Sequence, residues 1–270
     1  MREVKGLIFS DIDGTLLDSK NQISERTRRG ILALERRGIL FVLVSARMPD
    51  GMTGIRDMLG NHAPMAAYSG GLILDADGGV LSSRTMSHER ALELKALFDR
   101  EFPELCCNTY GGSRWVVDDD SDPRVKAEEE ITSLKAAVGP VEELFAGQGV
   151  HKFLLMGRPE EILRAKERIG QLCPDLSLGA SKPEYLEVMD GAVQKAEAVR
   201  FLCGHFGIPT EQAVAFGDGD NDLGMLQAVG RGYAMANAPQ EVIQGAPYLA
   251  PDNDHEGVLT VLEELFGGCV

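Results

Sequence analysis

Three β-prone runs in this chain, Gly6–Phe9, Phe41–Val44 and Ala213–Phe216, each break off into polar residues. Apolar runs this short suit strands buried on both faces, as in parallel sheets covered by helices. The first leads into Asp11-Ile12-Asp13-Gly14-Thr15-Leu16, the second into Ser45-Ala46-Arg47, and the third into Gly217-Asp218-Gly219-Asp220-Asn221-Asp222. If the three strands are parallel neighbours, their polar ends share one crevice, because open α/β sheets bind ligands outside the carboxyl ends of their strands. Asp11, Asp13, Asp218 and Asp222 would then lie close together. A like-charge pair repels by about 1 kcal/mol in water and about 4 kcal/mol at an intermediate dielectric. A cation, a raised pKa or full solvation has to offset that.

Helical patterns alternate with these runs. A helix is expected from Ser24, with Ile31 and Leu34 on one face and Gly38 at its end, and a short one after Asp50. Ile39–Val44 reads as a strand, Met65–Tyr68 as a weaker one, and Leu72–Leu74 with Val80–Leu81 as a hairpin around Asp75–Gly79. The pattern then changes. A helix over 87–102 is stopped by Pro103, and strands follow near Cys106–Tyr110 and Arg114–Val117. Pro123 opens a helix reaching about Val138, Lys152–Met156 is a strand, and Pro159 opens another helix before strands at Leu176–Leu178 and Tyr185–Val188. The first pattern returns with a helix over 192–206, the strand Ala213–Phe216, short strands near Tyr233–Met235 and Tyr248–Leu249, and a last helix near 256–266. The expected fold class is α/β: a doubly wound, Rossmann-like parallel-sheet core from residues 1–82 and 190–270, with an inserted α/β domain over 83–189.

Charge narrows the partners. Lys and Arg number 27 against 42 Asp and Glu, a formal charge of −15. Such a chain repels a phosphate polymer and has no basic patch, so no nucleic acid is expected. No apolar run approaches membrane-spanning length, and the start is too short and wrongly flanked for a signal peptide. The five cysteines (Cys106, Cys107, Cys173, Cys203, Cys269) form no C-x-x-C pair and read as reduced thiols of a cytoplasmic protein. The five histidines show no metal spacing. A monomer or weak homodimer is expected.

Clustered carboxylates suit a hard cation with oxygen ligands, and Mg²⁺ is the obvious one. Mg²⁺ in turn suits a phosphate ester, for which Ser45 offers a hydroxyl and Lys195 a balancing charge. With these parts the chain resembles the haloacid dehalogenase superfamily of phosphatases, in its Cof-type branch with a large α/β cap. Asp11–Leu16 is similar to the first motif, Ser45-Ala46-Arg47 to the second, Lys195 to the third and Gly217–Asp222 to the fourth, in the family's order and with the insertion between motifs two and three. The resemblance implies that Asp11 attacks phosphorus and forms an aspartyl-phosphate. Asp13 would serve as general acid and then base. Mg²⁺ would be held by Asp11, Asp218 and the Asp13 carbonyl, with Asp222 positioning Lys195 or a metal water. Ser45, Ala46, Arg47, Lys195 and Asn221 would bind the substrate. A second aspartate at Asp13 marks the phosphatases and mutases and is missing from the dehalogenases. Three positions depart from the family pattern: Ser69 stands where asparagine is common, Gln194-Lys195-Ala196 where serine-lysine-glycine is frequent, and Ala46 where glycine is usual.

Plainer readings stand beside these. Asp11 and Asp13 alone could be a solvated turn or a helix cap, Ser45 an N-cap, Lys195 a surface lysine and Arg47 a structural residue. Asp118–Asp120 reads as a solvated charge run. Tyr110, Arg114, Trp115 and Lys152 could face a substrate or simply pack. The reading the motifs favour is a Mg²⁺-dependent phosphatase of small metabolites, sugar phosphates or phosphorylated cofactors. The alternatives are a phosphotransferase or mutase on the same scaffold and a catalytically silent metabolite-binding protein.

Overall fold

A computed structural model of the chain describes residues 3–267, so Cys269 lies outside the described residues. Two compact units are present. The first takes the chain up to Ala46, Met52–Leu81 and the part from Gln194 on; the second takes Arg47–Gly51 and Ser82–Val193.

The chain opens with β1 (Gly6–Ser10), α1 (Glu25–Arg36), β2 (Ile39–Val44), α2 (Pro49–Leu59), β3 (Met65–Ala67), β4 (Leu72–Leu74) and β5 (Val80–Ser83). Ser24 caps α1 by accepting the Thr27 N–H at 3.0 Å, and Gly38 (φ +87°) supplies the left-handed residue that turns the chain into β2. Ile31 and Leu34 of α1 are buried, as their spacing required.

The second unit contains α3 (His88–Glu101), β6 (Cys106–Gly111), β7 (Arg114–Val117), α4 (Pro123–Thr132), β8 (Ala137–Val138), α5 (Val141–Leu144), β9 (Lys152–Met156), α6 (Pro159–Leu172), β10 (Leu176–Gly179) and β11 (Tyr185–Asp190). Its six strands run β10-β11-β9-β6-β7-β8, antiparallel except for β7 with β8. Phe98 of α3 and Ile162, Ala165 and Ile169 of α6 pack with Cys107, Phe153, Leu155, Leu186 and Val188, so both helices cover one face of this sheet. The helix expected to run to Val138 stops at Thr132. Ser133 is left-handed (φ +57°), and the buried Glu129 carboxylate takes the Ala136 N–H at 3.2 Å and Lys135 Nζ at 2.7 Å, folding the chain back into β8.

The first unit resumes with α7 (Lys195–Phe206), β12 (Val214–Gly217), α8 (Leu223–Ala228), β13 (Arg231–Met235), α9 (Gln240–Gly245), β14 (Tyr248–Ala250) and α10 (Gly257–Phe266). The helix expected from 192 begins at Lys195, because Asp190 binds the Ala192 and Val193 N–H groups in a turn. The sheet order is β14-β13-β12-β1-β2-β3-β4-β5, parallel from β14 to β3 and antiparallel between β3 and β4. Leu7, Phe9, Val42 and Val44 pack with Ala198, Val199 and Leu202 of α7 and Met225 and Leu226 of α8, while α1 and α10 contact one another. The doubly wound α/β core read from the sequence is therefore present. Strand order reverses at β1, which lies between β12 and β2, and that switch point is where the polar ends meet.

Cys106, Cys107, Cys173 and Cys203 are free thiols, and burial pushes those of Cys106 and Cys203 up to about 11. Asp118, Asp119 and Asp120 are exposed. Among the described residues no helix is long and apolar enough to cross a membrane.

Candidate active site

At the end of β1 the Asp11 N–H donates to the Phe216 carbonyl of β12 at 3.0 Å, which holds the first motif against the third strand end. The chain then makes a single distorted turn over Ile12–Leu16, with Asp13 extended (ψ 121°) and Gly14 at φ +76°. Glycine is required at position 14 twice over. Its backbone is left-handed, and a Cβ there would lie 2.4 Å from Oδ2 of Asp218. The Asp218 carboxylate thus rests directly on the backbone of the first motif, and Thr15 Oγ1 donates to its Oδ1 at 2.7 Å.

Lys195 is the first residue of α7 and is 2% exposed. A cation at a helix N-terminus opposes the helix dipole, so carboxylates have to hold it there. Nζ donates to Asp11 Oδ1 at 2.5 Å and to Asp222 Oδ1 at 2.6 Å. Burial would lower the pKa of this amine, but Asp11 and Asp222 outweigh it and keep the charge. Oδ2 of Asp222 accepts the backbone N–H groups of Asp218 (3.1 Å) and Gly219 (2.9 Å). Both oxygens of this 1% exposed side chain are therefore engaged.

Negative charge exceeds what Lys195 neutralises. Burial raises Asp11 well above the usual carboxylate range against the pull of Lys195, and Asp222 and Asp218 add repulsion. Burial likewise pushes Asp218 up to about 6, opposed by the Thr15 hydrogen bond and assisted by Asp222. One carboxylate oxygen from each of Asp11, Asp218 and Asp222 lies within 4.8 Å of the others. An all-oxygen donor set whose carboxyls are short of positive charge fits a hard divalent cation. The Asp13 side chain is exposed and is not one of the three.

The remaining sequence candidates are placed as follows. Ser45 is buried at the end of β2; its N–H donates to the Ala66 carbonyl and its carbonyl accepts the Ser69 N–H at 2.8 Å. Ala46 follows it, half-buried. Arg47 falls in the second unit, where Nη1 donates to the Gly51 carbonyl at 3.3 Å. Asn221 is half-buried in the fourth motif, its Oδ1 close over Gly219. Asp11, Lys195, Asp218 and Asp222 are brought together. Sequence reasoning gave no role to Thr15, although it sits inside the first motif. It also passed over Asn237, whose Nδ2 donates to the Gly14 carbonyl at 2.8 Å; no spacing signal marks that residue.

Known proteins match along the whole chain. A family model described as haloacid dehalogenase-like hydrolase covers residues 8–262. A Haemophilus influenzae protein named "Putative phosphatase" is 36% identical over 259 residues, covering 96% of this chain and 97% of its own. Phosphatase YwpJ of Bacillus subtilis is 27% identical, covering 96% of this chain and 99% of its own. The solved structure of a haloacid dehalogenase-like hydrolase from Bacteroides thetaiotaomicron superposes with a TM-score of 0.86 at 27% identity, covering 97% of this chain and 99% of its own.

Proposed function

The chain belongs to the haloacid dehalogenase-like hydrolases and is a phosphatase, and from that premise we propose that it is Mg²⁺-dependent, acts on small phosphorylated metabolites (sugar phosphates or phosphorylated cofactors) and works through an aspartyl-phosphate. The observation that carries this is the state of Asp11. One oxygen is fixed by Lys195, and the carboxyl is crowded by Asp218 and Asp222 at the end of a buried strand. A nucleophile so placed is oriented and partly neutralised before substrate arrives.

In this reading an oxygen of Asp11 attacks phosphorus, the new P–O bond forms in line with the departing ester oxygen, and that oxygen takes a proton from Asp13. Asp13, now ionised, removes a proton from the water that hydrolyses the acyl phosphate and so restores the free Asp11 carboxylate. Lys195, Ser45 and Asn221 hold phosphoryl oxygens, and Ala46 and Arg47 complete the binding segment that starts at Ser45. Mg²⁺ would be held by Asp11, Asp218 and the Asp13 carbonyl, where it supplies charge neutralisation for the transferring phosphoryl group. Asp222 has both oxygens engaged and acts through Lys195 and the backbone of the fourth motif. Residues 83–189 choose the substrate, since the core offers chemistry common to all phosphate monoesters.

The test is Asp11→Asn. Phosphate release from a panel of phosphorylated metabolites should fall at least a thousandfold with the circular dichroism spectrum retained. Acid-quenched wild-type protein should carry a hydroxylamine-sensitive phosphoryl label that the variant lacks. EDTA should stop turnover and Mg²⁺ restore it. Substantial hydrolysis by Asp11→Asn would remove the nucleophile assignment.

A further inference from the structure

The turn that carries the first motif is gripped from outside by residues the phosphoryl chemistry has not used. In the first unit β13 and β14 run parallel to β1, so the loops leaving their carboxyl ends lie on the same edge of the sheet as Asp11. From the loop after β13, Asn237 Nδ2 donates to the Gly14 carbonyl at 2.8 Å, and its Oδ1 accepts the Asn253 N–H at 3.2 Å. From the loop after β14, Asn253 Nδ2 donates to the Leu17 carbonyl at 2.8 Å, and Asp254 Oδ1 accepts the Ser19 N–H at 2.7 Å. Three side chains thus hold the segment at Gly14, Leu17 and Ser19, from 223, 236 and 235 residues further along the chain.

Gly14 is where such a grip matters most. The Asp218 carboxylate lies where a Cβ would be, so the position excludes every side chain. A residue without a Cβ is also the one whose backbone rotates most freely. Its own sterics therefore do not enforce the φ of +76° and ψ of −1° found there. Rotation at Gly14 swings the peptide that follows it and disturbs both neighbours. One is Asp13, the acid and base of the proposed reaction; the other is Thr15, whose hydroxyl holds Asp218. A hydrogen bond to the Gly14 carbonyl fixes that peptide plane. A carboxamide suits the task, because it donates and accepts at once and adds no charge beside Asp13 and Asp218.

Folding alone does not call for this arrangement. Asn237 is exposed, and an exposed hydrogen bond replaces one to water at a small net gain. Geometry at the reacting atoms is far more sensitive, since a displacement of about 1 Å can cost about a hundredfold in rate.

We propose that Asn237 is a positioning residue for phosphoryl transfer: by locking the Gly14 peptide it aims Asp13 at the departing ester oxygen, and Asn253 seats Asn237 for that purpose. The proposal rests on the phosphatase reading and adds to it a residue outside the four motifs.

The test compares two leaving groups. p-Nitrophenolate departs with little help from an acid, whereas an alkoxide needs the proton of Asp13. kcat/KM is measured for p-nitrophenyl phosphate and for the best alkyl phosphate of the panel, because this constant reports the step in which the ester oxygen leaves. In Asn237→Ala the alkyl value should fall by about tenfold or more, and its ratio to the p-nitrophenyl value by about threefold or more. The melting temperature should drop by only a few degrees. Asn237→Asp keeps the acceptor for Asn253 but, when ionised, has no hydrogen to donate to Gly14, and it should show the same fall in ratio. Ser87→Ala removes the cap of α3; it lowers stability without touching the turn and should leave the ratio as in wild type. Smaller falls in folded Asn237→Ala, a wild-type ratio in Asn237→Asp, or an Asn237→Ala protein that does not fold would each overturn the proposal while leaving the phosphatase reading intact. So would an equal fall in Ser87→Ala, which would make lost stability the cause. A wild type releasing no phosphate from any ester would overturn the phosphatase reading, and this inference with it.

Discussion

Lys195 is a fully buried ammonium placed at the wrong end of a helix, and only the two carboxylates it touches make that position tenable. Lys195→Met should therefore cost about 3–5 kcal/mol, as expected when one partner of a buried ion pair is removed. Turnover should fall by more than about a hundredfold if Lys195 also carries phosphoryl charge. Part of the lost thermal stability should return with Mg²⁺, which replaces the missing positive charge; a melting temperature insensitive to Mg²⁺ would contradict that. Asp218 sets a second expectation. Burial raises its carboxyl to about 6, above the unfolded value, so the folded protein without metal holds a proton there that the unfolded chain has already lost. This contribution to stability is present at low pH and disappears as pH rises through 6. A cation needs the deprotonated form. The Mg²⁺ concentration for half-maximal activity should accordingly rise about tenfold per pH unit below 6. At this scale the sequence made Asp11, Asp218, Asp222 and Lys195 legible, because each stands at a motif position. Thr15 stayed silent because its bond joins residues 203 apart in the chain, and no local pattern announces such a contact.

Elements read well wherever burial alone dictated them. β2 and β7 have the predicted bounds, Ile39–Val44 and Arg114–Val117, because unbroken β-prone runs admit few alternatives. Errors came where short-range bonds outweighed helix preference: Glu129 ended α4 early by binding Lys135 and the Ala136 N–H, and Asp190 delayed α7 by holding a turn. The turn over Ile12–Leu16 was beyond sequence reasoning for another reason, since its shape is fitted to the distant Asp218. Gly14→Ala probes that fit. A left-handed Cβ costs about 1 kcal/mol, which the fold should survive. The larger effect should be on function, because the new methyl must displace Asp218. Mg²⁺ affinity and kcat should both drop by more than tenfold while the melting temperature falls by only a few degrees. A variant with normal Mg²⁺ dependence would show that Asp218 does not need its seat on the turn.

For the whole molecule, pH acts through opposed effects. The chain carries −15 at neutrality, and its isoelectric point is about 4.8. Acidification toward that point relieves self-repulsion and favours the compact state. His151 works against it. Its Nδ1 accepts the Gly112 N–H at 3.1 Å, so the ring proton sits on Nε2, 3.1 Å from Ser83 Oγ. Burial pushes the imidazole down to about 4. Between about 6.5 and 4 the unfolded chain takes a proton that the folded ring refuses. The His151 contribution is thus complete above 6.5 and lost as pH falls toward 4, by up to about 3 kcal/mol. Relief of surface repulsion and protonation of Asp218 act in the opposite sense between pH 6.5 and 5, so the His151 contribution is read from the difference between the wild type and a variant that does not titrate there. His151→Asn keeps a hydrogen-bonding group and has no proton to gain. Its melting temperature should be lower at pH 7.5, where the packing of the ring is missed, and should decline less, or rise, over the same interval. Parallel curves for the two proteins by differential scanning calorimetry would show that His151 is not the group that limits stability in acid.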